Sequence, residues 1–215
     1  MNPDFEKMNA PLETAYRLLS ACLYQPSPEW LEENVFGNLE QVLSVVAPTV
    51  AHKAGTMAEA LGDQGEAELT TAYARLFIGP GRLGATPYGS YYLEQEKQVM
   101  GESTLAVRSF YEDAGLVLDE AFTEMPDHMK VELEFLSYLL QQAISSAARG
   151  DEGAYARWVE LRKEFLARFV SGWFEAFCDT VRESQAGPFY DALADCLEAV
   201  IGRDLALLDL RGFPR

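Results

Sequence analysis

The chain has few of the residues that usually mark metal or redox chemistry. It holds two histidines and three cysteines in 215 residues, with no Cys-x-x-Cys pair. Cys22, Cys178 and Cys196 are odd in number and far apart, which argues against a disulfide framework or a zinc site. We therefore expect buried, reduced thiols, no bound metal and a reducing compartment, the cytoplasm.

Positive charge is scarce as well. Seventeen basic residues stand against 34 acidic ones, which gives a formal net charge of −17. Such a surface repels phosphate backbones and anionic lipids. Apolar runs are too short and too interrupted to span a bilayer, and no basic patch precedes an apolar segment at the N-terminus. The sequence thus predicts no nucleic-acid partner and no stable membrane insertion.

Motifs of common enzyme classes are missing too. A helical di-metal oxidase needs Glu-x-x-His motifs, and neither histidine stands in one. The run Gly79-Pro80-Gly81-Arg82 lacks the Gly-Lys-Ser/Thr of a phosphate-binding loop, and no serine lies in a Gly-x-Ser-x-Gly elbow. His128 and Glu132 share a helical face, which we interpret as an ordinary surface pair. We predict no catalytic residue, no cofactor and no metal ligand.

What the chain does have is apolar residues at helical spacing. Leu12, Tyr16, Leu19 and Leu23 recur every three or four positions, and similar stripes continue nearly to the C-terminus. No stretch alternates as a strand would. With 48% hydrophobic residues, a chain of this length buries roughly 70% of its unfolded surface. We predict one all-α domain over residues 1–215, a bundle of about nine or ten helices.

Glycine and proline mark the predicted helix boundaries. Gly79-Pro80-Gly81 ends one helix, and the ten residues after it are expected not to propagate another. A further helix is predicted from Ser103 to Ala114. A long central helix is expected from Pro126 to Arg149, about 36 Å at 1.5 Å per residue. Gly187-Pro188 resets the chain for the last helix.

The motif Glu124-Met125-Pro126-Asp127-His128 opens that central helix. Proline suits a first helical turn, and Asp127 places negative charge near the positive end of the helix dipole. On this view Asp127 is an exposed acid beside a titratable imidazole. A plain helix start and a binding role both remain open.

Aromatic residues flank the loop between two helices. Tyr73, Leu76 and Phe77 end the helix before Gly79, and Pro87 and Tyr88 lie beyond the loop. Aromatics on loops between rigid helices commonly line a groove for a peptide, and an acidic surround selects a basic one. The alternative for Leu76 and Phe77 is simple core packing.

Two of these motifs carry a family resemblance. Tyr73-Ala-Arg-Leu-Phe77 and Glu124-Met-Pro-Asp-His128, about 50 residues apart, resemble the signature motifs of the TorD/DmsD family of redox-enzyme maturation chaperones. The region between them and the C-terminal part are similar as well. The further matching segments are Gly79-Pro80-Gly81, Pro87–Tyr92, Gly101–Thr104, Phe110-Tyr111 and Gly187–Tyr190, so the resemblance covers most of residues 10–205.

This resemblance implies a TorD-like fold and a cytoplasmic chaperone that is not an enzyme. Such proteins bind the twin-arginine signal peptide or the apo form of a molybdenum-cofactor oxidoreductase, and assist cofactor insertion and proofreading before export. Monomers and domain-swapped dimers both occur among relatives. The implied peptide-binding residues, to which the charge argument adds Glu124, are Tyr73, Leu76, Phe77, Pro87, Tyr88, Gly101, Glu124, Asp127 and His128.

Two other hypotheses stand beside this one. In the first, the chain is a relative of the nitrate-reductase assembly chaperones and acts on a molybdoenzyme subunit without an exported leader. A hypothesis of a different class is an enzyme that uses Asp127 and His128 as an acid-base pair.

Overall fold

The computed structural model describes residues 3–79, 83–95, 97, 99–116 and 122–210, with side chains from Lys7 onwards. This part of the chain folds into a bundle of ten α-helices without a β-strand. The predicted all-α fold class is confirmed. The extent of a single domain over residues 1–215 stays a prediction.

The helices follow one another along the chain with short connections. Two of them are continued by π-helical turns, α4 by Ala74–Ile78 and α8 by Leu166–Val170. The helices are α1 (Pro3–Ala21), α2 (Glu29–Glu32), α3 (Val35–Val46), α4 (Lys53–Tyr73), α5 (Gly89–Leu93), α6 (Glu102–Asp113), α7 (Met129–Ala148), α8 (Glu152–Phe165), α9 (Phe174–Glu183) and α10 (Pro188–Leu207).

Helix α7 lies at the centre of the bundle, between α1 and α8. Apolar residues occupy more than one of its faces, because it has neighbours on several sides. Helix α10 packs against α4, α9 and α1 and completes the core. The buried hydrophobic side chains form one connected cluster. Central burial of the α7 helix, expected from its sequence, is confirmed.

Most predicted boundaries agree with the structure. The π-helical turn after α4 ends at Gly79, whose φ of 89° and ψ of −179° suit glycine almost alone. Helix α6 spans nearly the predicted range, and α10 begins with Pro188 in its first turn. Pro80–Arg82, part of the predicted stop after Gly79, lie outside the described residues.

Two boundary predictions are wrong. Helix α7 begins at Met129, three residues after Pro126, because Pro126 and Asp127 form a turn and His128 has an extended backbone (φ −72°, ψ 135°). The loop after Gly79 also contains a short helix that starts at Gly89. Both differences have the same cause, a tertiary contact between these two segments that is described below.

All three cysteines are buried and unpaired, as predicted from their number and spacing. No helix in the described ranges combines the length and the apolar character needed to cross a membrane.

A buried polar cluster ties α1, α8 and α10 together. Asp204 accepts a hydrogen bond from the Tyr16 hydroxyl at 2.9 Å and lies 3.5 Å from Nη2 of Arg162. Arg162 Nη1 also donates to Oδ1 of Asn9 at 3.0 Å. Neither member of the ion pair reaches solvent. The pair links α8 to α10, and Tyr16 and Asn9 link both helices to α1, so the cluster fixes the relative positions of three helices far apart in sequence.

We expect Asp204→Ala to lower the free energy of unfolding by about 3–5 kcal/mol, because it leaves the Arg162 charge buried without its carboxylate. Urea unfolding measures the change. The control is Glu164→Ala, which breaks the exposed pair with Arg168 and should cost about 0–1 kcal/mol. Equal losses in the two variants would contradict the role assigned to the buried pair.

Candidate functional site

A backbone bridge joins the Pro87–Gly89 segment to the end of the Glu124–His128 motif. The Met129 N–H donates to the Pro87 carbonyl and the Gly89 N–H donates to the Asp127 carbonyl, both at 2.8 Å. These two bonds flank Tyr88 and His128, which pair as in an antiparallel ladder. The segment after the loop is thereby fixed across the start of α7.

Asp127 is buried, contrary to the prediction of an exposed acid. Its side chain is 1% exposed, and Oδ2 accepts a hydrogen bond from the Ser90 N–H at 2.8 Å. The carboxylate thus binds the first turn of α5, not the first turn of the helix that follows it. The turn before it is anchored by the Tyr111 hydroxyl, which donates to the Pro126 carbonyl at 2.8 Å.

His128 is buried too, at 3% exposed, and it caps α7. Its Nδ1 accepts a hydrogen bond from the Lys130 N–H at 3.1 Å, which satisfies one of the unpaired donors of the helix start. The ring stands edge to face with Tyr88, with centroids 5.1 Å apart. Burial lowers the pKa of His128 from 6.5 to about 3, against the opposing effect of Glu124.

Glu124 is the acidic residue of the motif that reaches the surface, with a quarter of its side chain exposed. Its Oε2 lies 2.6 Å from Nζ of Lys130, and Oε1 accepts hydrogen bonds from the Tyr88 hydroxyl at 3.3 Å and the Met125 N–H at 3.1 Å. Burial raises its pKa, but the Lys130 ammonium, His128 and the Met125 N–H together hold it below the usual value. The carboxylate is therefore positioned and ionised.

Glu132 lies inside the molecule behind the bridge, so interpreting His128 and Glu132 as a surface pair was wrong. Burial raises the pKa of Glu132 well above its usual value, the charge of Asp127 raises it further, and the Trp173 indole lowers it. Space here is tight: a Cβ at Gly89 would lie 3.1 Å from Nε1 of Trp173 and 3.6 Å from Oε1 of Glu132. Within the described residues, no group of His, Cys, Asp and Glu is arranged to hold a metal ion.

The first motif packs into the core. Leu76 and Phe77 are buried, and the Phe77 ring contacts Phe177 and Tyr190. The core-packing alternative thus describes both positions, and their role in peptide binding stays a prediction. Tyr73 is also buried, and its ring stands edge to face with that of Phe77. Burial and the charge of Glu124 both raise the pKa of Tyr73.

Glycine at position 101 has a structural explanation that does not involve a peptide. The Glu94 carboxylate accepts hydrogen bonds from the Ser103 N–H at 3.0 Å and the Ser103 hydroxyl at 2.7 Å, at the start of α6. A Cβ at Gly101 would overlap the Glu94 carboxylate oxygens. Glycine at this position therefore lets Glu94 cap α6, and contact between Gly101 and a peptide remains untested.

The structure thus gathers Pro87, Tyr88, Glu124, Asp127 and His128 in one place, while Tyr73 packs against Phe77. Tyr88 and Glu124 reach the surface there. Gly101 lies at the start of α6, in a separate cluster with Glu94.

Sequence reasoning missed two members of this surface, Tyr24 and Lys130. The Lys130 ammonium lies 4.5 Å from the centroid of the Tyr24 ring, and the Tyr24 hydroxyl donates to Glu134 at 2.7 Å. One signal for Lys130 was present, since a basic residue in the first turn opposes the helix dipole. Nothing near Tyr24 in the sequence pointed to it.

Three comparisons place the chain among known proteins. The profile of the nitrate reductase delta subunit family matches residues 45–179. The Tat proofreading chaperone DmsD of Salmonella paratyphi A is 33% identical over 128 residues, 60% of this chain and 56% of the relative. The chaperone protein TorD of Shewanella loihica is 27% identical over 170 residues, 75% of this chain and 74% of the relative.

The match to the Salmonella protein thus spans little more than half of that relative's length. Among solved structures, a candidate redox enzyme maturation protein from Archaeoglobus fulgidus superposes with a TM-score of 0.51. It is 24% identical, and the alignment covers 86% of this chain and 93% of the other. That likeness supports the fold.

We expect Gly101→Ala to lower the melting temperature by a few degrees, because its methyl group displaces the Glu94 carboxylate from the start of α6. Glu94→Ala should cause a similar loss, and the double variant no more than either alone. Thermal unfolding of the three variants is the measurement. Gly62→Ala, in open space on α4, is the control and should not lower the melting temperature. Additive losses would contradict a shared mechanism.

The two buried titratable groups predict opposite pH dependences. Because the folded-state pKa of His128 is depressed, its contribution to stability is lost as pH falls from about 6.5 towards 3. Because that of Glu132 is raised, its contribution is lost as pH rises above about 4.5.

The test follows the free energy of unfolding of wild type, His128→Asn and Glu132→Gln between pH 7.5 and 5. From pH 6.5 to 5, wild type should lose roughly 1–2 kcal/mol relative to His128→Asn. Asn keeps a capping acceptor, so the helix start is preserved. Relative to Glu132→Gln, wild type should gain stability over the same range. Slopes of the same sign for both variants would contradict the assigned protonation states.

Proposed function

Because the chain belongs to the nitrate reductase delta subunit family of TorD-like maturation chaperones, we propose that it is a cytoplasmic chaperone for a molybdenum-cofactor oxidoreductase. In this proposal it binds the twin-arginine signal peptide or the apo form of the enzyme, and assists cofactor insertion and proofreading before export. The general role of molybdoenzyme maturation chaperone is supported by the relatives named DmsD and TorD.

One observation carries the peptide-binding part of the proposal. The backbone bridge at Tyr88 and His128 presents an ionised carboxylate, Glu124, beside the partly exposed rings of Tyr88 and Tyr24. A twin-arginine leader offers adjacent guanidinium groups followed by an apolar stretch. Carboxylates accept charge-assisted hydrogen bonds from guanidinium, and aromatic faces cover apolar side chains. The chemistry of the surface thus matches the chemistry of the leader.

A second candidate function is assembly of a molybdoenzyme subunit that has no exported leader. The description of the matching family, nitrate reductase delta subunit, favours it. Here the bound segment belongs to the mature enzyme. Comparing binding of a leader peptide with binding of the leaderless apo-enzyme separates the two functions.

The geometry favours a binding protein over an enzyme with Asp127 and His128 as an acid-base pair. Both side chains are buried. His128 Nδ1 already accepts the Lys130 N–H, and burial holds the imidazole pKa near 3. A general base needs contact with its substrate and a pKa near the working pH.

We expect the leader peptide of the client enzyme to bind wild type and to bind Tyr88→Ala about tenfold more weakly. The backbone bridge does not depend on the Tyr88 side chain, so the variant should remain folded. Calorimetric titration against the leader measures the affinity, and its salt dependence should show weakening as ionic strength rises.

The matched control is Tyr138→Ala, which truncates a half-buried tyrosine elsewhere, on α7. It should leave leader affinity unchanged. Wild type that binds neither the leader nor the apo-enzyme would overturn the proposal. Binding of the apo-enzyme alone would favour the leaderless function.

A further inference from the structure

The Lys130 side chain already occupies a cation site of the protein. Its ammonium contacts the Glu124 carboxylate at 2.6 Å and lies 4.5 Å from the Tyr24 ring centroid. The side chain is only 9% exposed. We call Glu124 and Tyr24, which hold this ammonium between a carboxylate and an aromatic face, the Lys130 seat.

Lys130 is a poor choice for helix formation. It is the second residue of α7, where the helix dipole is positive and favours acidic side chains. It also buries a charge in a chain that has only 17 basic residues. Natural sequences break such local preferences mainly at functional or strained sites.

The seat is partly open to solvent. A quarter of the Glu124 side chain is exposed, and Tyr24 is 42% exposed. Glu124 is held in place without Lys130, because the Tyr88 hydroxyl and the Met125 N–H also donate to it. A cation from outside would thus find an oriented carboxylate and an aromatic ring, with the Lys130 ammonium in its way.

A second carboxylate, that of Glu134, lies within reach of the Lys130 side chain once it leaves Glu124. Glu134 lies four residues after Lys130 on α7, the spacing at which side chains on a helix meet. Its carboxylate accepts hydrogen bonds from the Tyr24 hydroxyl at 2.7 Å and the Ser20 hydroxyl at 3.2 Å. The Tyr24 side chain thus contacts Glu134 through its hydroxyl and the Lys130 ammonium through its ring. Burial raises the pKa of Tyr24, and the hydrogen bond to Glu134 and the charges of Glu134 and Glu124 raise it further.

We propose that Lys130 is a resident occupant of a guanidinium site, and that an arginine side chain of the bound polypeptide displaces its ammonium from Glu124 towards Glu134. This inference rests on the proposed function for the identity of the polypeptide. Guanidinium is planar, less strongly hydrated than ammonium, binds carboxylates through two parallel hydrogen bonds and stacks on aromatic rings. The seat therefore favours arginine over the lysine that fills it. A cation that interacts with Glu124 and Tyr24 less strongly than the Lys130 ammonium does cannot displace it. Lys130 thereby makes the site specific for guanidinium groups.

The experiment uses the full chain and the dipeptide probe acetyl-Arg-Arg-amide, followed by NMR titration. Lys130→Met removes the competing charge but keeps an unbranched apolar stem in the same space. We expect this variant to bind the probe about tenfold more tightly than wild type. Lys163→Met is the control, because it changes the net charge equally at a lysine of α8; it should stay within twofold of wild type.

Two further titrations test whether the tighter binding of the arginine probe depends on its charge and on Glu124. Acetyl-Gln-Gln-amide should bind wild type and Lys130→Met equally weakly. In the double variant Lys130→Met with Glu124→Gln, the gain for the arginine probe should disappear. Lys130→Met affinity within twofold of wild type, or an equal gain in Lys163→Met, would overturn the inference.

Wild type offers an independent measurement should Lys130→Met fold poorly. The ¹⁵N-ammonium resonance of Lys130 is expected to shift and to exchange faster with solvent as the arginine probe is added. A resonance that does not change at saturating probe contradicts displacement. Failure of the leader to bind wild type overturns the proposed function, whereas the dipeptide titration decides the role of Lys130 by itself.

Discussion

The two hydrogen bonds across Tyr88 and His128 are the constraint on which the rest of this region depends. They require the chain to enter α7 in an extended conformation, so the helix starts only at Met129 and His128 becomes its cap. They also bring Gly89 close to Trp173, so that a Cβ there would lie only 3.1 Å from Nε1 of the indole. The first turn of the short helix α5 is then held by Asp127, whose carboxylate accepts the Ser90 N–H. This one backbone contact thus fixes both the Pro87–Gly89 segment and the chain that enters α7.

The acidic residues near the bridge lie in two different environments. Behind it, Asp127 and Glu132 are both buried, and burial together with the charge of Asp127 raises the pKa of Glu132. In front of it, Glu124 is ionised and neutralised by Lys130. The net charge of −17 attracts any cation at long range. This long-range attraction does not by itself distinguish one cation from another.

The sequence predicted the helical architecture well, because apolar spacing and glycine stops are local signals. The start of α6 and the proline at the start of α10 follow from them directly. Burial of Asp127 and His128 was not predictable in the same way. A carboxylate and an imidazole beside a proline look like an ordinary exposed helix start, and only the distant Pro87–Gly89 segment covers them. The contact between Lys130 and Tyr24 joins α7 to the turn after α1, more than 100 residues away, so no local pattern in the sequence indicated it.

The structural and binding interpretations of the Glu124–His128 motif are complementary. The side chains of Asp127 and His128 accept hydrogen bonds from the backbone N–H groups of Ser90 and Lys130, and both are buried. Glu124 and Tyr88 are positioned by the same segments, and their side chains remain partly exposed to solvent. A substitution at Asp127 or His128 that weakens partner binding would therefore act by moving Tyr88 and Glu124. Such a variant should lose stability together with affinity, whereas loss at Tyr88 should affect affinity alone.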